Sequence, residues 1–213
     1  MTKRTLLAVV ALALSIASPA AAQSELERTA NLLGLEPGAA VAEIGAGDGE
    51  FAVALARRVG PDGRVYATEI ESEKRAAIAA EASEQGLANV EVLEAQVAAT
   101  GLPSACCRAV FMRHVYHHLR DPAAINRDLL RALEPGGRLL IVDFPPTWYL
   151  APWTPDDVGE ERSEHGIELD DARRELEDAG FELVEAIPRW DTGWLGPDSW
   201  ALLVRRPNAA PAP

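Results

Sequence analysis

The residues best suited to chemistry lie at a glycine-rich turn, residues 43–49, which reads Glu-Ile-Gly-Ala-Gly-Asp-Gly. An apolar run over residues 39–44 predicts a buried strand before the turn, and Phe51, Leu55 and Val59 recur at helical spacing after it. Open α/β sheets bind ligands at such strand-to-helix turns, where glycine lets a ligand come close to the main chain. The sequence therefore predicts a bound ligand here, against the alternative of a glycine turn that binds nothing.

The charge of the turn indicates what kind of ligand it holds. A dinucleotide fingerprint, Gly-x-Gly-x-x-Gly/Ala, has a small residue at its sixth position, but that position is Glu50 here. The carboxylates of Glu50 and Asp48 would both repel a diphosphate. A cofactor with a positively charged or zwitterionic head group therefore fits the turn better than a dinucleotide.

Polar side chains also follow the next two predicted strands. Residues 64–69 predict a strand that ends in Glu69, where an acid can accept hydrogen bonds from both hydroxyl groups of a ribose. The third predicted strand, residues 90–93, is followed by Gln96, whose amide can both donate and accept at the edge of a base. Ordinary solvated side chains at strand ends are the alternative for both residues.

Histidines gather at the end of the fourth predicted strand, residues 108–114. Three of the chain's four histidines, His114, His117 and His118, lie within this short stretch. His114 and His118 have the i, i+4 spacing that would place both on one helix face, as in a metal-binding pair. Because no third ligand is evident nearby, no metal is predicted.

Two stretches of the sequence resemble motifs of one enzyme family. The pattern Glu-x-Gly-x-Gly-x-Gly over residues 43–49 resembles motif I of the class I S-adenosylmethionine (SAM) methyltransferases. Residues 133–144, Leu-x-Pro-Gly-Gly-Arg-Leu-x-Ile-x-Asp-Phe, are similar to a recurring stretch of small-molecule methyltransferases, including the quinone-biosynthesis type. From about residue 26 to 206 the chain resembles the type 11-like group. The resemblance implies SAM as the cofactor and methyl transfer to an oxygen, nitrogen, sulfur or carbon atom of a small molecule.

The resemblance also implies roles for individual residues. Glu43 would reach the ammonium group of SAM, Glu69 the ribose and Gln96 the adenine, although the family usually has aspartate at the position of Gln96. The His-His-Leu stretch would place His117 and His118 between cofactor and acceptor, where a neutral histidine can take up a proton. His118, and after it His117, is therefore the predicted general base. The predicted cofactor-binding residues are Glu43, Gly45, Ala46, Gly47, Gly49, Glu69, Ile70, Gln96, Val97, Arg113 and His114.

Strand and helix alternate five times along the chain, which closes with a β-hairpin. Such βα units predict an α/β fold with a single doubly wound, Rossmann-like sheet and helices on both faces. The resemblance implies seven strands in the order 3-2-1-4-5-7-6, with strand 7 antiparallel.

The N-terminus differs in composition from the rest of the chain. A basic start, an apolar stretch over residues 6–17 and an Ala-x-Ala end are typical of a secretory signal peptide cleaved after Ala22. An uncleaved N-terminal anchor is the alternative. The sequence thus predicts a periplasmic or secreted protein that is not stably inserted in a membrane. Its predicted parts are a signal peptide over 1–22, a methyltransferase domain over 23–206 and a disordered tail over 207–213.

The net charge of the chain indicates which class of partner it binds. The formal net charge of −13 argues against a nucleic-acid partner, since such surfaces are usually basic, and a small-molecule substrate is predicted instead.

The only cysteines, Cys106 and Cys107, are adjacent, and a bond between neighbours would close a small strained ring. The sequence therefore favours two unbonded side chains, one inward and one outward, at the start of a strand. The oligomeric state is left open.

The longest predicted irregular segment, residues 145–168, is rich in proline, tryptophan and acids. Its aromatic residues favour a lid or an acceptor pocket over disorder. His165 is a candidate contact in this segment, with an exposed loop histidine as the alternative.

Two other functions stay open: a SAM-binding protein without catalysis, and another transferase on the same fold, such as an aminopropyltransferase. The latter is expected to have paired acids beside strand four, where this chain has Arg113 and His114.

Overall fold

The structure, a computed structural model, describes residues 19–147, 165–191 and 198–208. In these ranges the helices are α1 (Pro19–Leu33), α2 (Glu50–Val59), α3 (Ser72–Glu84), α4 (Pro122–Ala132) and α5 (Leu169–Asp178). The strands are β1 (Ala40–Ile44), β2 (Arg64–Glu69), β3 (Val90–Glu94), β4 (Cys107–Arg113), β5 (Leu133–Asp143), β6 (Glu182–Asp191) and β7 (Ser199–Arg205). A short 3₁₀ helix, Tyr116–His118, follows β4.

All seven strands form one sheet in the order β3-β2-β1-β4-β5-β7-β6. The pairs from β3 to β5 are parallel, whereas β7 runs antiparallel to both β5 and β6. The predicted α/β fold, strand order and antiparallel seventh strand are therefore confirmed. Because β1, β2, β4 and β5 are parallel, their carboxyl ends meet at one edge of the sheet, and the segments that follow them are brought together there.

Helices cover both faces of the sheet and bury two apolar clusters. On one face, Leu55 of α2 and Ile78 of α3 pack in a cluster with Phe111 of β4. On the other face, Leu129 of α4 and Leu176 of α5 pack with a second set of strand residues. Burial of apolar area on both sides is the main stabilising contribution to such a layered fold. The sheet edge with the site therefore rests on a rigid core.

The strand β5 begins at Leu133, earlier than the sequence predicts, since the fifth strand is expected to begin at Arg138. The Glu-Pro-Gly-Gly stretch, residues 134–137, reads as a turn, yet Leu133 already pairs with Cys107, and the next pair joins Arg138 to Ala109. The four intervening residues thus bulge out between two consecutive pairs of one ladder. Gly136 has a φ of 76° in this bulge, a conformation that glycine adopts without strain.

Cys106 and Cys107 are joined by a disulfide, so the prediction of two unbonded side chains is wrong. The argument from alternating side chains requires both residues to lie in a strand. However, β4 begins at Cys107, which is fully buried, and Cys106 precedes the strand. The alternation of a pleated strand therefore does not set the direction of Cys106.

Several predictions fall on residues outside the described ranges. These residues are 1–18 of the predicted signal peptide, 148–164 of the irregular segment and 209–213 of the tail. The helix α1 begins at Pro19 and contains the predicted cleavage point after Ala22. Within the described part of the chain, no helix is long and apolar enough to cross a membrane.

Candidate active site

The glycine turn between β1 and α2 is held by hydrogen bonds to the end of β2. The N–H groups of Gly45 and Ala46 both donate to the carbonyl oxygen of Thr68, at 2.9 Å each. The N–H of Gly47 donates to Oε2 of Glu69 at 3.0 Å. The turn and the acid that ends β2 are therefore fixed relative to each other.

The three glycines of the turn are needed for different structural reasons. Gly45, Gly47 and Gly49 have φ values of 69°, 56° and 82°, which are uncommon for other residues. A Cβ on Gly45 would lie 2.6 Å from Cγ2 of Val115, and one on Gly49 would lie 2.9 Å from Cγ1 of Ile78. A Cβ on Gly47 would meet no atom of the described residues within 4 Å. Two glycines thus permit close packing, while the third borders open space in which a ligand can lie.

Glu69 lies where the sequence predicts a ribose-binding acid. Its side chain is buried, and Oε1 accepts from the N–H groups of Ile70 at 2.7 Å and Glu71 at 3.2 Å. Together with Gly47, three main-chain donors hold the carboxylate. A carboxylate has about four acceptor positions, so the oxygens keep capacity for a ligand hydroxyl.

Glu43, in the middle of β1, is a buried acid with an unsatisfied oxygen. The side chain is 6% exposed, and Oε2 has no hydrogen-bond partner among the residues that the structure describes. Burial raises the pKa of Glu43 to about 8, although Arg113 and the N–H of Ala52 act in the opposite direction. A cationic group placed beside this carboxyl would favour its ionised form. The site is therefore suited to an ammonium ligand.

Apolar side chains flank the site on its outer side. Ile70 is 60% exposed and Val97 is 47% exposed, so both apolar side chains are accessible to a ligand. They follow the neighbouring strands β2 and β3, where the N–H of Ala95 donates to the carbonyl oxygen of Glu69 at 3.1 Å. Gln96 is also exposed at this position. The arrangement offers two apolar contacts and an amide to a flat base.

Arg113 and His114 lie at the end of β4, the strand next to β1. The guanidinium of Arg113 pairs with Glu25 of α1 at 3.4 Å and lies 5.7 Å from the ring centre of Phe51. His114 has a φ of 53°, and its N–H donates to the carbonyl oxygen of Val142 at 2.8 Å. Both residues are thus placed at the same sheet edge as the glycine turn, and α1 covers part of that edge.

His117 forms a buried pair with Asp143, the last residue of β5. Nδ1 of His117 lies 2.7 Å from Oδ1 of Asp143, and the main-chain N–H of His117 donates to Oδ2 at 3.1 Å. The N–H of Phe144 donates to Oδ1 at 3.0 Å. Because a carboxylate only accepts hydrogen bonds, Nδ1 is the protonated ring nitrogen. Nε2 of His117 is buried and has no partner within the described ranges.

His118 and His165 complete a cluster around His117. The ring centres of His117 and His118 lie 4.0 Å apart, and that of His165 lies 4.8 Å from His117 and 5.1 Å from His118. One ring nitrogen of each of the three lies within 4.8 Å of the others. His165 thus lies close to His118, which is one member of the predicted pair His114 and His118, and the cluster replaces the other member by His117. His114 is not a member of the group.

The predicted general bases differ in their surroundings. The pKa of His118 is lowered to about 4, first by partial burial and then by the neighbouring rings of His117 and His165, although Asp143 acts in the opposite direction. A base with so low a pKa accepts a proton poorly near neutral pH. His117 instead has its ring orientation fixed by Asp143. The geometry favours His117 over His118, the reverse of the order predicted from the sequence.

Asp143 is missing from the predicted site, and His165 is predicted only as a candidate contact of the irregular segment, without a link to the other histidines. For Asp143 a signal exists, since it is an acid that ends the strand beside β4, at the sheet edge where ligands bind. For His165 the sequence gives no link to the other histidines, because 46 residues lie between it and His118. The remaining predicted residues all lie at the carboxyl edge of the sheet, and their individual contacts with a cofactor stay predictions.

The strand order is the one that the resemblance to class I SAM methyltransferases implies. A family model described as a methyltransferase domain matches residues 42–141, the segment from β1 to β5 that contains the glycine turn, Glu69 and two of the clustered histidines. Together with the relatives below, this match supports a class I SAM-dependent methyltransferase and identifies SAM as the cofactor.

The chain is similar to methyltransferases with different substrates. It is 28% identical over 161 residues to an arsenite methyltransferase from Halobacterium salinarum, covering 73% of this chain and 40% of that protein. It is 35% identical over 121 residues to the ubiquinone/menaquinone biosynthesis C-methyltransferase UbiE from Pseudomonas putida, covering 54% and 46%. A crystal structure of a SAM-dependent methyltransferase from Aquifex aeolicus has a TM-score of 0.69 at 25% identity, covering 85% of this chain and 89% of that one. The chain spans less than half the length of these two curated relatives.

Proposed function

We propose that this protein transfers the methyl group of SAM to a small-molecule acceptor held against the histidine cluster, defined as His117, His118 and His165. The observation that carries the proposal is the contact between two turns. Gly45 lies directly against Val115, so a Cβ at Gly45 would be 2.6 Å from that side chain, and Val115 immediately precedes the 3₁₀ helix with His117. The cofactor turn and the histidine cluster are therefore immediate neighbours.

The cofactor would be held by groups on three strands. Glu69 accepts the ribose hydroxyls, and Ile70 and Val97 lie on either side of the adenine, with Gln96 at its edge. The methionine part lies along the open space beside Gly47. Its ammonium group is drawn to the buried carboxyl of Glu43, because a nearby positive charge compensates for the burial of an ionised acid.

The reaction is a displacement at the methyl carbon. A lone pair of the acceptor's oxygen, nitrogen or sulfur forms the new bond to carbon, the carbon–sulfur bond breaks, and the sulfur keeps the electron pair as S-adenosylhomocysteine. Alignment of two bound reactants can lower such a barrier by roughly 7–11 kcal/mol. The proton lost by the acceptor passes to Nε2 of His117, whose ring Asp143 orients. Proton transfer of this kind contributes roughly 10²–10⁴-fold.

The relatives support methyl transfer but not one acceptor. An arsenite methyltransferase and a quinone-biosynthesis C-methyltransferase are named for chemically unrelated acceptors. We therefore assign the acceptor only as a small molecule with a nucleophilic atom. The net charge of −13 supports this class over nucleic acid.

Calorimetric titration followed by a turnover assay tests the proposal. We expect saturable binding of SAM and S-adenosylhomocysteine, no binding of nicotinamide dinucleotides, and formation of S-adenosylhomocysteine with one or more members of a panel of hydroxyl, amine, thiol and quinone acceptors. SAM binding without turnover on any acceptor would favour a catalytically silent SAM-binding protein. Preference for a nicotinamide dinucleotide over SAM would overturn the proposal.

We further propose that residues 1–22 direct export and are removed. The basic start and apolar stretch support this, and cleavage after Ala22 would retain Glu25 and Arg28. Glu25 pairs with Arg113, and Arg28 lies 3.9 Å from the ring centre of Trp190. Cell fractionation with N-terminal sequencing tests the proposal. A mature protein that begins at Gln23 in the periplasm is the expected result, and an intact N-terminus in the cytosol would contradict it.

A further inference from the structure

We infer that the histidine cluster is a binding site for one divalent transition-metal ion of the zinc type, next to the SAM site. No metal is predicted from the sequence, because no third ligand is evident near the spaced pair His114 and His118. The fold instead groups His118 with His117 and His165. The binding of the metal depends only on these side chains and does not rest on the proposed methyl transfer.

The spacing of the rings suits a metal after a small movement. One nitrogen of each ring lies within 4.8 Å of the others. A tetrahedral zinc ion with bonds of about 2.0–2.1 Å holds its nitrogen ligands roughly 3.4 Å apart. The ring nitrogens would therefore approach one another by up to about 1.4 Å, which rotations about side-chain bonds can provide. His118 is exposed and free to make such a rotation.

His117 is already arranged as a metal ligand. Its Nδ1 is bound to the fully buried carboxylate of Asp143 at 2.7 Å, and this carboxylate–histidine pairing is what orients metal-bound histidines in other proteins. The opposite nitrogen, Nε2, is buried in a residue that is only 2% exposed and lacks a partner in the described structure. A buried polar atom without a partner is unfavourable, and a metal bond would remove that penalty.

The ligand set determines which ions can bind. Three imidazoles without a carboxylate in direct contact favour zinc, cobalt, nickel or copper over magnesium or calcium, which prefer oxygen ligands. Three protein ligands also leave a coordination position open, as in catalytic rather than structural zinc sites. The negative charge of Asp143 behind His117 partly compensates the charge of the ion.

A consequence for the acceptor follows, and this step rests on the proposed function. The open position would receive a hydroxyl or thiol acceptor, whose pKa a bound metal ion lowers. The acceptor then loses its proton to solvent, and its oxygen or sulfur forms the bond to the methyl carbon while the carbon–sulfur bond of SAM breaks. When the metal ion is bound, Nε2 of His117 coordinates the ion and does not accept the acceptor's proton. The substrate class is therefore a metal-coordinating hydroxyl or thiol compound.

The direct test is titration of metal into the full chain without a polyhistidine tag, since a tag would itself bind metal. The protein is first stripped with a chelator and kept free of reductant, so that the Cys106–Cys107 disulfide offers no thiolate. We expect cobalt(II) to bind at one equivalent per chain with visible d–d absorption, and zinc(II) to displace it. Absence of saturable binding at this stoichiometry would overturn the inference.

Histidine variants assign the site. His118→Ala and His165→Ala should each weaken cobalt binding at least tenfold and change the absorption spectrum. The matched control is His114→Ala, which removes the chain's fourth histidine and should leave cobalt binding unchanged. Asp143→Asn should weaken binding by roughly 10–100-fold while the three ligands remain. Equal cobalt binding by wild type, His118→Ala and His165→Ala would disprove the assignment.

A second measurement does not depend on variants that fold. In nitrogen-15 NMR spectra of the wild-type protein, zinc should shift the ring nitrogens of three of the four histidines and leave the fourth in place. Shifts of a single histidine, or of none, would contradict a three-histidine site. Both experiments omit SAM and acceptor, so their failure leaves the proposed methyl transfer intact. Conversely, a protein that gives the expected cobalt spectrum but shows no turnover would contradict the proposed methyl transfer and leave the metal site supported.

Discussion

The N–H of Gly47 donates to Oε2 of Glu69 at 3.0 Å, so the glycine turn after β1 and the acid that ends β2 form one hydrogen-bonded unit. The same acid is held by the N–H groups of Ile70 and Glu71. A side chain that binds a ribose must keep its direction before the ligand arrives, because ordering it during binding would reduce the affinity. The main chain provides that order here.

Glu69→Gln should weaken SAM binding and lower the melting temperature together. In either orientation the new amide NH₂ would face a main-chain N–H, and lost hydrogen bonds to a charged group are worth about 1.5–3 kcal/mol. We expect the Kd for SAM to rise roughly 10–100-fold, as measured by calorimetry. Glu71→Gln is the matched control, since Glu71 is exposed and pairs with Lys74 at 2.7 Å. Equal affinities of Glu69→Gln and wild type would contradict a ribose-binding role.

The raised pKa of Glu43, about 8 against an ordinary 4.5, predicts a pH-dependent stability. Between these values the folded protein holds a proton on Glu43 that the unfolded chain releases. The free energy of unfolding in the absence of SAM should therefore fall as pH rises from about 4.5 to 8, by at most about 1.4 kcal/mol per pH unit. This loss of stability is complete above the pKa of Glu43 in the folded protein. It is absent below the pKa of Glu43 in the unfolded chain.

Glu43→Gln isolates this contribution, because glutamine is neutral at every pH. Melting temperatures without SAM should be similar for variant and wild type near pH 5, with the variant increasingly more stable toward pH 9. The variant should also bind SAM more weakly, since it lacks the charge that would meet the ammonium group. Parallel melting profiles over this pH range would show that Glu43 does not carry the raised pKa.

The glycines of the turn should respond differently to substitution by alanine. Gly47→Ala should cost about 1–2 kcal/mol of stability for its positive φ and weaken SAM binding, because the methyl group enters the open space beside Glu69. Gly86→Ala is a matched control, with a φ of 67° and no atom within 4 Å of the added carbon among the described residues. We expect similar melting temperatures for these two variants and a rise in the Kd for SAM only in Gly47→Ala.

Gly45→Ala should be more damaging to the fold than either of them. Its added carbon would lie 2.6 Å from Cγ2 and 3.1 Å from Cγ1 of Val115, so either the glycine turn or Val115 must shift. We expect a lower melting temperature than in Gly47→Ala, measured by thermal denaturation followed by circular dichroism. A Gly45→Ala protein as stable as Gly86→Ala would mean that the turn does not press against Val115.

The parts of the site that follow single strands could be predicted from the sequence. Glycines, acids and apolar residues at strand ends carry a local signal, and a parallel sheet brings those ends to one edge. Glu43 and Glu69 can therefore be predicted from the sequence. His165 is a candidate contact only as a histidine in an aromatic-rich segment, and nothing local places it beside His117 and His118, since 46 residues lie between His118 and His165. The bond between Cys106 and Cys107 was missed because the exact start of β4 decides whether alternation applies, and element boundaries are poorly encoded locally.

Asp143→Asn should impair catalysis more than cofactor binding. Both oxygens of Asp143 accept from donors on His117 and Phe144, so an amide NH₂ in either orientation would face an N–H group. We expect a loss of about 1–3 kcal/mol in stability and roughly 10²-fold in turnover, because the ring of His117 is no longer held in one tautomer. SAM affinity should change little, since the groups proposed to hold the ribose, adenine and ammonium of SAM lie on or directly after β1 to β3.

Asp121→Asn provides the control for that substitution. Asp121 caps α4 by accepting from the N–H of Ala124 at 2.9 Å, and asparagine caps helices equally well, so stability and turnover should match wild type. Turnover measured as S-adenosylhomocysteine formation, beside SAM affinity from calorimetry, separates catalysis from binding. If Asp143→Asn turned over like Asp121→Asn, orientation of His117 by the carboxylate would have no part in the reaction. The histidine cluster would then act only as a wall against which the acceptor packs.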